Sequence, residues 1–272
     1  MAHSNTPSGH RARKRFGQNF LVDDNIINQI VHAVNPKPDQ RVVEIGPGQG
    51  AITGLLLESV PHLQVIELDR DLVPVLLAQF AKYREFKIHQ HDALKFDFAS
   101  LTSEAQPTLR IVGNLPYNIS TPLIFRLLSL KAHIHDMHFM LQKEVVQRLV
   151  AGPGNKNYGR LSIMAQYHCA IESLFDVPPE SFDPAPKVNS AVARLQPYTT
   201  PPFVAQNVQN FDKFIKQAFQ QRRKTLRNGL KGLVDDAEAE RVGLDLTKRA
   251  ENISVEDYIK FCNALWGETN IA

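Results

Sequence analysis

The sequence predicts an α/β protein: a mostly parallel sheet with helices on both faces, followed by a small all-helical C-terminal domain. Three observations predict it. From about residue 41, short β-rich runs alternate with helical patterns. A glycine-rich turn, Gly46-Pro47-Gly48-Gln49-Gly50, follows the first of those runs. After the prolines at 197, 201 and 202 the remaining pattern is helical.

The elements follow in order. Arg41–Ile45 reads as a strand, leading through the glycine turn into a helix that includes Leu55–Leu57. Leu63–Leu68 is the second strand and Asp71–Tyr83 a helix. Phe86–His89 and Leu109–Val112 are the next two strands. Thr121–Leu130 is a helix, with Thr121 as cap and Pro122 at its first position, where a missing N–H costs nothing. His133–Leu141 alternates like a strand, and Lys143–Val150 is helical. Past Gly152, Ile163–Phe175 and Val188–Leu195 have no helix between them, only the proline-rich Val177–Lys187, and read as an antiparallel pair closing the sheet edge. Gln196–Pro202 is the linker. Beyond it Phe211–Leu233, Asp235–Val242 and Ser254–Trp266 are helical, with Ser254 and Asp257 a capping pair. The expected organisation is a disordered tail over 1–13, a catalytic domain over 14–200 and a helical domain over 201–272.

Composition narrows the function classes. Hydrophobic content of 43% with 22% charged residues is ordinary for a globular protein, and no apolar run is long enough to span a membrane. The N-terminus carries positive charge without an apolar stretch, so it is not a secretory signal, and the expected location is the cytoplasm. Cys169 and Cys262 stand far apart, which excludes a disulfide framework and a zinc signature. His133, His135 and His138 do not complete a ligand set, and no metal is expected. The net charge of +3 is unevenly spread. Arg11, Arg13, Lys14 and Arg15 have no acid beside them. From Lys213 to Lys231 there is again no Asp or Glu, and the run holds Lys213, Lys216, Arg222, Arg223, Lys224, Arg227 and Lys231. Such runs can be solvated faces, yet two acid-free clusters on a nearly neutral chain suit a polyanion whose counterions they release.

The glycine turn closes the first strand where a ligand approaches the backbone, and Gly46 and Gly48 are the candidates for that contact. Glu67, ending the second strand about twenty residues on, is placed to accept hydrogen bonds from ribose hydroxyls. A dinucleotide enzyme shares these features. The spacing here is G-x-G-x-G with Pro47 inside it, however, which suits S-adenosylmethionine, a ribose ligand without a phosphate. His91-Asp92-Ala93 follows the third strand, where Asp92 either takes the cofactor's exocyclic amine or caps a helix.

Asn114-Leu115-Pro116-Tyr117 closes the fourth strand. The exocyclic amine of adenine is a poor nucleophile because its lone pair is delocalised into the ring. The Asn114 side-chain oxygen and a backbone carbonyl stiffened by Pro116 can accept its two N–H bonds and localise that lone pair, with Tyr117 as a stacking face. A strand-ending turn would also use Asn and Pro. Phe182, in the loop Ser181-Phe182-Asp183-Pro184-Ala185-Pro186-Lys187-Val188, is the candidate for a second face over an extruded base. Local packing is the alternative.

Read together, these segments resemble the ribosomal RNA small-subunit adenine N6-dimethyltransferase family of the KsgA type. The likeness runs from Lys14-Arg15-Phe16-Gly17-Gln18-Asn19-Phe20-Leu21 through EIGPGQG, Glu67, HDAL and NLPY to SFDPAPKVNSAV. It continues through Gln221-Arg222-Arg223-Lys224-Thr225-Leu226-Arg227 and Arg249-Ala250-Glu251. The resemblance implies a Rossmann-like, seven-stranded class I methyltransferase fold with a small all-helical C-terminal domain. It implies S-adenosylmethionine as cofactor, contacted by Asn19, Leu21, Gly46, Gly48, Glu67, Asp92, Ala93 and Asn114. Asn114, Leu115, Pro116, Tyr117 and Phe182 would serve catalysis, and Arg222, Arg223, Lys224 and Arg227 the RNA. The implied reaction is dimethylation of two adjacent adenosines near the 3′ end of 16S ribosomal RNA during ribosome biogenesis, by a monomer whose partner is the small ribosomal subunit. Enzymes that methylate large-subunit RNA share NLPY, but QRRKTLRNGL and RAENIS resemble the assembly enzyme. A non-catalytic assembly factor on the same fold would not need the intact glycine loop, Glu67, Asp92 and NLPY.

Overall fold

A computed structural model of the chain describes residues 18–103, 108–221, 223–267 and 271. The expected tail over 1–13, the N-terminal basic cluster and Arg222 lie outside the described residues. The chain forms two compact units. The first runs to Val146 and takes in Glu172–Pro197. The second joins Gln147–Ile171 to Tyr198–Ala272. The sequence places the boundary between the two domains after residue 200; the second unit also takes in residues 147–171.

The strands in chain order are β1 (Phe20–Leu21), β2 (Val42–Ile45), β3 (Gln64–Glu67), β4 (Lys87–Gln90), β5 (Leu109–Asn114), β6 (Ile134–Gln142), β7 (Cys169–Val177), β8 (Phe182–Asp183) and β9 (Ser190–Pro197). The helices are α1 (Asp24–Val34), α2 (Ala51–Ser59), α3 (Leu72–Gln79), α4 (Ser120–Ser129), α5 (Lys143–Val150), α6 (Arg160–His168), α7 (Val208–Ala218), α8 (Leu226–Gly229), α9 (Asp236–Val242) and α10 (Val255–Trp266).

Seven strands form one sheet in the order β4-β3-β2-β5-β6-β9-β7. β2 pairs in parallel with β3 and β5, β3 with β4, and β5 with β6, while β9 runs antiparallel to β6. Central β2 reads Val-Val-Glu-Ile because both of its faces are covered; all four residues are buried. The order reverses beside β2, so the carboxyl ends of β2, β3 and β5 open a crevice there. At the opposite end of β5, Arg110 makes a bidentate pair with Asp136, Nε to Oδ1 at 2.9 Å and Nη2 to Oδ2 at 2.6 Å. Its Nη1 donates to Gln40 Oε1 and to the carbonyl of Asn35, the left-handed cap of α1. Neighbouring His138 is buried, which depresses its pKa to about 4 and keeps it neutral.

Three elements differ from expectation. Ile163–His168 belongs to helix α6, not to a strand: Leu161, Ser162, Ile163, Met164, Ala165 and Tyr167 are all buried, so no amphipathic period marks the helix. α4 begins at Ser120 with Ile119 before it, so Thr121 is not the cap and Pro122 falls inside the first turn, where its lack of an N–H is still harmless. The helix expected over Phe211–Leu233 is broken into α7 and α8. At the start of α8 the Leu226 and Arg227 N–H groups donate to the carbonyls of Lys248 and Leu246, and Thr225 bridges Arg249. α1 has a clear local cause that the sequence reading passed over. Asp23 accepts from the N–H groups of Asn25 and Ile26, and Ile26, Ile27, Ile30 and Val34 make one buried stripe.

The second unit packs α6, α7, α9 and α10 around Phe211, Phe214, Ile215, Tyr258 and Ile259, with Phe214 edge-on to Tyr258 at 5.7 Å and to Trp266 at 5.2 Å. Ser254 caps α10 as expected, accepting from the Asp257 N–H at 3.0 Å. Cys169 and Cys262 are buried and form no disulfide, and burial pushes Cys262 up to about 12.

Candidate active site

The crevice in the first unit is a cavity of about 340 Å³. The carboxyl ends of β2, β3 and β5, the segment after β4 and residues Gln18–Leu21 line it. That volume lies in the range of cofactor and small-ligand pockets.

The glycine turn forms its floor. Gly48 and Gly50 have φ of +58° and +84°, a region that L side chains rarely adopt. A Cβ at Gly48 would stand 3.1 Å from the Phe20 ring, and one at Gly50 2.7 Å from the Phe80 ring. The loop therefore needs glycine for its own conformation and for two aromatic rings, not solely for a ligand. Gly46 lines the cavity and donates its N–H to the Ile66 carbonyl at 2.9 Å, tying the turn to β3.

Glu67 ends β3 and is 6% exposed, with one oxygen accepting from the Asp69 N–H at 2.7 Å. Burial raises its pKa to about 7, opposed by hydrogen bonds from the backbone of Asp69, Gly48 and Leu68. Glu44, on β2, also borders the cavity. Burial lifts it to about 7 as well, and Thr53 Oγ1 donates to it at 2.6 Å. Asp92 caps no helix: its Oδ1 accepts from the Leu94 N–H at 2.9 Å, closing a turn, and the residue lines the cavity beside Ala93.

Asn114 Nδ2 donates to the Asn19 carbonyl at 3.2 Å. Because a carbonyl can only accept, that contact fixes which end of the amide is nitrogen and leaves Oδ1 as the acceptor. Leu115 is buried and its N–H donates to Met140. The Pro116 carbonyl is taken up by the Ile119 and Ser120 N–H groups, whereas no described residue donates to the Leu115 carbonyl. Tyr117 is half-buried on the cavity wall.

Phe182 does not join this set. It is 4% exposed, belongs to a core cluster with Leu21, Ile26, Ile27 and Ile30, and does not border the cavity. β8 pairs with β1, setting Phe182 opposite Leu21, and the Val22 N–H donates to the Ser181 carbonyl at 2.9 Å. The aromatic among prolines anchors the segment that carries Asn19 and Leu21, and offers no exposed face to a base. Gln18, which the sequence reading quoted without a role, donates to Asp69 Oδ2 at 3.2 Å and lines the cavity. Glu44, Phe20, Leu68 and His91 also line it without having been singled out. Glu44 carried a signal: an acid within the buried run Val42–Ile45.

In the second unit Arg223 and Lys224 are exposed in the turn between α7 and α8. Arg227 forms an ion pair with Asp236, and Lys213 donates to the Ile271 carbonyl at 3.1 Å. Two cations of the acid-free run therefore have partners that sequence distance hid. Among the described residues no group of three His, Cys, Asp or Glu could hold a metal ion, and no helix is long and apolar enough to cross a membrane.

The donor set tests the cofactor. The cavity wall carries three carboxyl groups, Glu44, Glu67 and Asp92, and, among the described residues, neither Lys nor Arg. A pyrophosphate would face these three carboxyl groups, whereas a ligand bearing hydroxyl, ammonium and sulfonium groups meets acceptors and apolar walls.

Comparisons with known proteins agree with this chemistry. The family model described as ribosomal RNA adenine dimethylase matches residues 9–266. A protein of Saccharophagus degradans named ribosomal RNA small subunit methyltransferase A is 62% identical over 98% of this chain and 100% of its own. A dimethyladenosine transferase of Plasmodium falciparum superposes with a TM-score of 0.75 at 25% identity, covering 89% of this chain and 95% of that one. The 23S rRNA methyltransferase ErmE shares the fold, with a TM-score of 0.70 at 21% identity over 91% and 99% of the two chains.

Proposed function

This chain belongs to the ribosomal RNA adenine dimethylase family, and from that premise we propose that its cavity holds S-adenosylmethionine and methylates adenine N6 in small-subunit ribosomal RNA. It is an rRNA adenine dimethyltransferase; the substrate positions and the residue roles are our reading. The observation that carries the cofactor is the cavity wall, whose described residues bring three carboxyl groups and neither Lys nor Arg. The small-subunit substrate is favoured over the large one because the 62% identical relative bears the small-subunit name, whereas the 23S enzyme supports the fold alone. On this reading the targets are two adjacent adenosines near the 3′ end of 16S RNA, methylated during subunit assembly in the cytoplasm.

Bound S-adenosylmethionine supplies an electrophilic methyl group. Glu67, ionised, accepts the ribose hydroxyls, and Asp92 accepts an exocyclic amine. The wall of Asn19, Leu21, Gly46, Gly48 and Ala93 shapes the remainder of the pocket. Asn114 Oδ1 and the Leu115 carbonyl accept the two N–H bonds of the target amine, so its lone pair is localised on nitrogen and aimed outward. Pro116 stiffens that carbonyl, and Tyr117 offers the base a face. No strong base is required, because the amine proton becomes acidic only after methyl transfer and then leaves to water. Arg222, Arg223 and Lys224 meet phosphates of the particle, with a smaller share from Arg227.

Mass spectrometry of 16S RNA from a strain lacking this protein tests the reading. Loss of dimethyladenosine at two neighbouring 3′ positions, restored by the wild-type chain and not by Asn114→Ala, is the expected result. Fully dimethylated RNA in that strain would overturn it.

A further inference from the structure

We infer that Ser190 is a positioning residue for methyl transfer, its hydroxyl fixing the Tyr117 ring against which the target adenine stacks. The inference rests on the role proposed above for Tyr117.

Ser190 is fully buried and opens β9, opposite Gln142 at the end of β6. Asn114 ends β5 opposite Met140 on that same strand β6. The antiparallel entry of β9 therefore brings its first residue to the sheet edge from which Asn114 leaves. The Ser190 hydroxyl lies 2.9 Å from Tyr117 Oη, and no other described residue hydrogen-bonds it. Packing does not call for a hydroxyl here: the next residues, Ala191, Val192 and Ala193, are apolar and buried. A buried hydroxyl with a single partner is costly to keep unless that partner is worth holding.

The partner is the aromatic of the cavity wall. A tyrosine ring tethered only through Cβ can swing about its first two torsions, carrying any base stacked on it. Held also at its hydroxyl, the ring has a fixed long axis, and a stacked adenine is fixed in height and tilt relative to Asn114. In-line transfer is sensitive to such placement, since displacements near 1 Å cost on the order of 10²-fold in rate. The demand is greater in the second transfer. Monomethyladenosine has one N–H left, so Asn114 Oδ1 and the Leu115 carbonyl cannot both be engaged, and stacking carries more of the orientation. Ser190 thus ties the start of β9 to the count of methyl groups delivered.

The test is a double-mutant cycle of Ser190→Ala and Tyr117→Phe on undermethylated small subunits, with mono- and dimethyladenosine counted over time. Each variant is expected to lower kcat by roughly tenfold and to accumulate monomethyladenosine, with S-adenosylmethionine affinity and subunit affinity unchanged. Combined, they are expected to be no worse than the stronger single variant, because both remove the same bond. Tyr117→Phe leaves the buried Ser190 hydroxyl without its partner, so its melting temperature should fall, and adding Ser190→Ala should bring it back. A Ser190→Ala enzyme with wild-type kcat and product ratio overturns the inference, as do effects that multiply in the double variant. A wild-type chain that methylates no subunit RNA would instead overturn the function on which the inference rests.

Discussion

The amide nitrogen of Asn114 donates across 3.2 Å to the backbone carbonyl of Asn19. The residue proposed to face the target amine is thereby oriented by a segment that walls the cavity. Replacing Asn114 with Asp keeps the shape but exchanges the donor for a second acceptor, which then opposes the Asn19 carbonyl. Both Asn114→Asp and Asn114→Ala should lower methyl transfer on the order of 10² to 10³-fold. Asn114→Asp should weaken S-adenosylmethionine binding more than Asn114→Ala does, as calorimetry would read. Equal affinities would mean that the Asn19 contact does not orient this side chain.

Cofactor affinity should depend on pH through Glu67. Burial holds its pKa near 7, and only the ionised form accepts two hydroxyls. Affinity is therefore expected to level off above about pH 8 and to fall by roughly tenfold per unit below about pH 6. For the unliganded fold the sign is opposite. A carboxyl group with a raised folded pKa contributes stability that is full below the unfolded value of 4.5 and lost as pH rises through about 7. Thermal shifts on adding S-adenosylmethionine should consequently be larger at pH 8 than at pH 6. Glu67→Gln should bind weakly with little pH dependence, and a wild-type titration equal at pH 6 and pH 8 would refute this account.

Phe182 separates two readings of its loop. As a core residue opposite Leu21, its truncation to Ala should cost about 3 to 5 kcal/mol of stability and loosen S-adenosylmethionine binding through β1. Phe182→Leu should keep most of the stability and leave the ratio of mono- to dimethyladenosine at the wild-type value. A changed ratio with unchanged melting in Phe182→Leu would return Phe182 to the role of a stacking face.

The basic turn should reveal itself in salt dependence. Each phosphate contact removed should flatten the log–log slope of subunit affinity by about 0.7 to 0.9. Changing Arg222, Arg223 and Lys224 to Glu should abolish binding and spare cofactor affinity. Arg227→Gln should do less than any of these alone, because Asp236 already partners that guanidinium. An equal loss from Arg227→Gln would show that RNA displaces the ion pair.

Most of the sheet was legible because each parallel strand carries its own signal: a short β-branched run, then a turn, then a helix. The placement of Asn114, Glu67 and the glycine loop on the cavity was legible for the same reason, since they stand at strand ends where the sheet opens. What escaped depends on distant partners. β1 and β8 are two residues each and exist only because residues 20–21 meet 182–183. α6 is buried on nearly every side, so its composition imitates a buried strand. The break between α7 and α8 is made by carbonyls some twenty residues further along. The burial of Phe182 was not legible, because an aromatic in a proline-rich loop has the same local appearance whether it faces a ligand or the core.

The two-residue ladder between β1 and β8 makes the beginning of the described chain an integral wall, in the way a keystone belongs to an arch. A chain shortened to start after Leu21 would keep the whole seven-stranded sheet and α1 with its Asp23 cap. It would nevertheless lose Gln18 from Asp69, Asn19 from Asn114, Phe20 from Gly48 and the strand that covers β8. Such a shortened protein should fold, show normal secondary structure and fail to retain its cofactor, so integrity of the N-terminal segment after proteolysis or purification is a better gauge of competence than a melting curve.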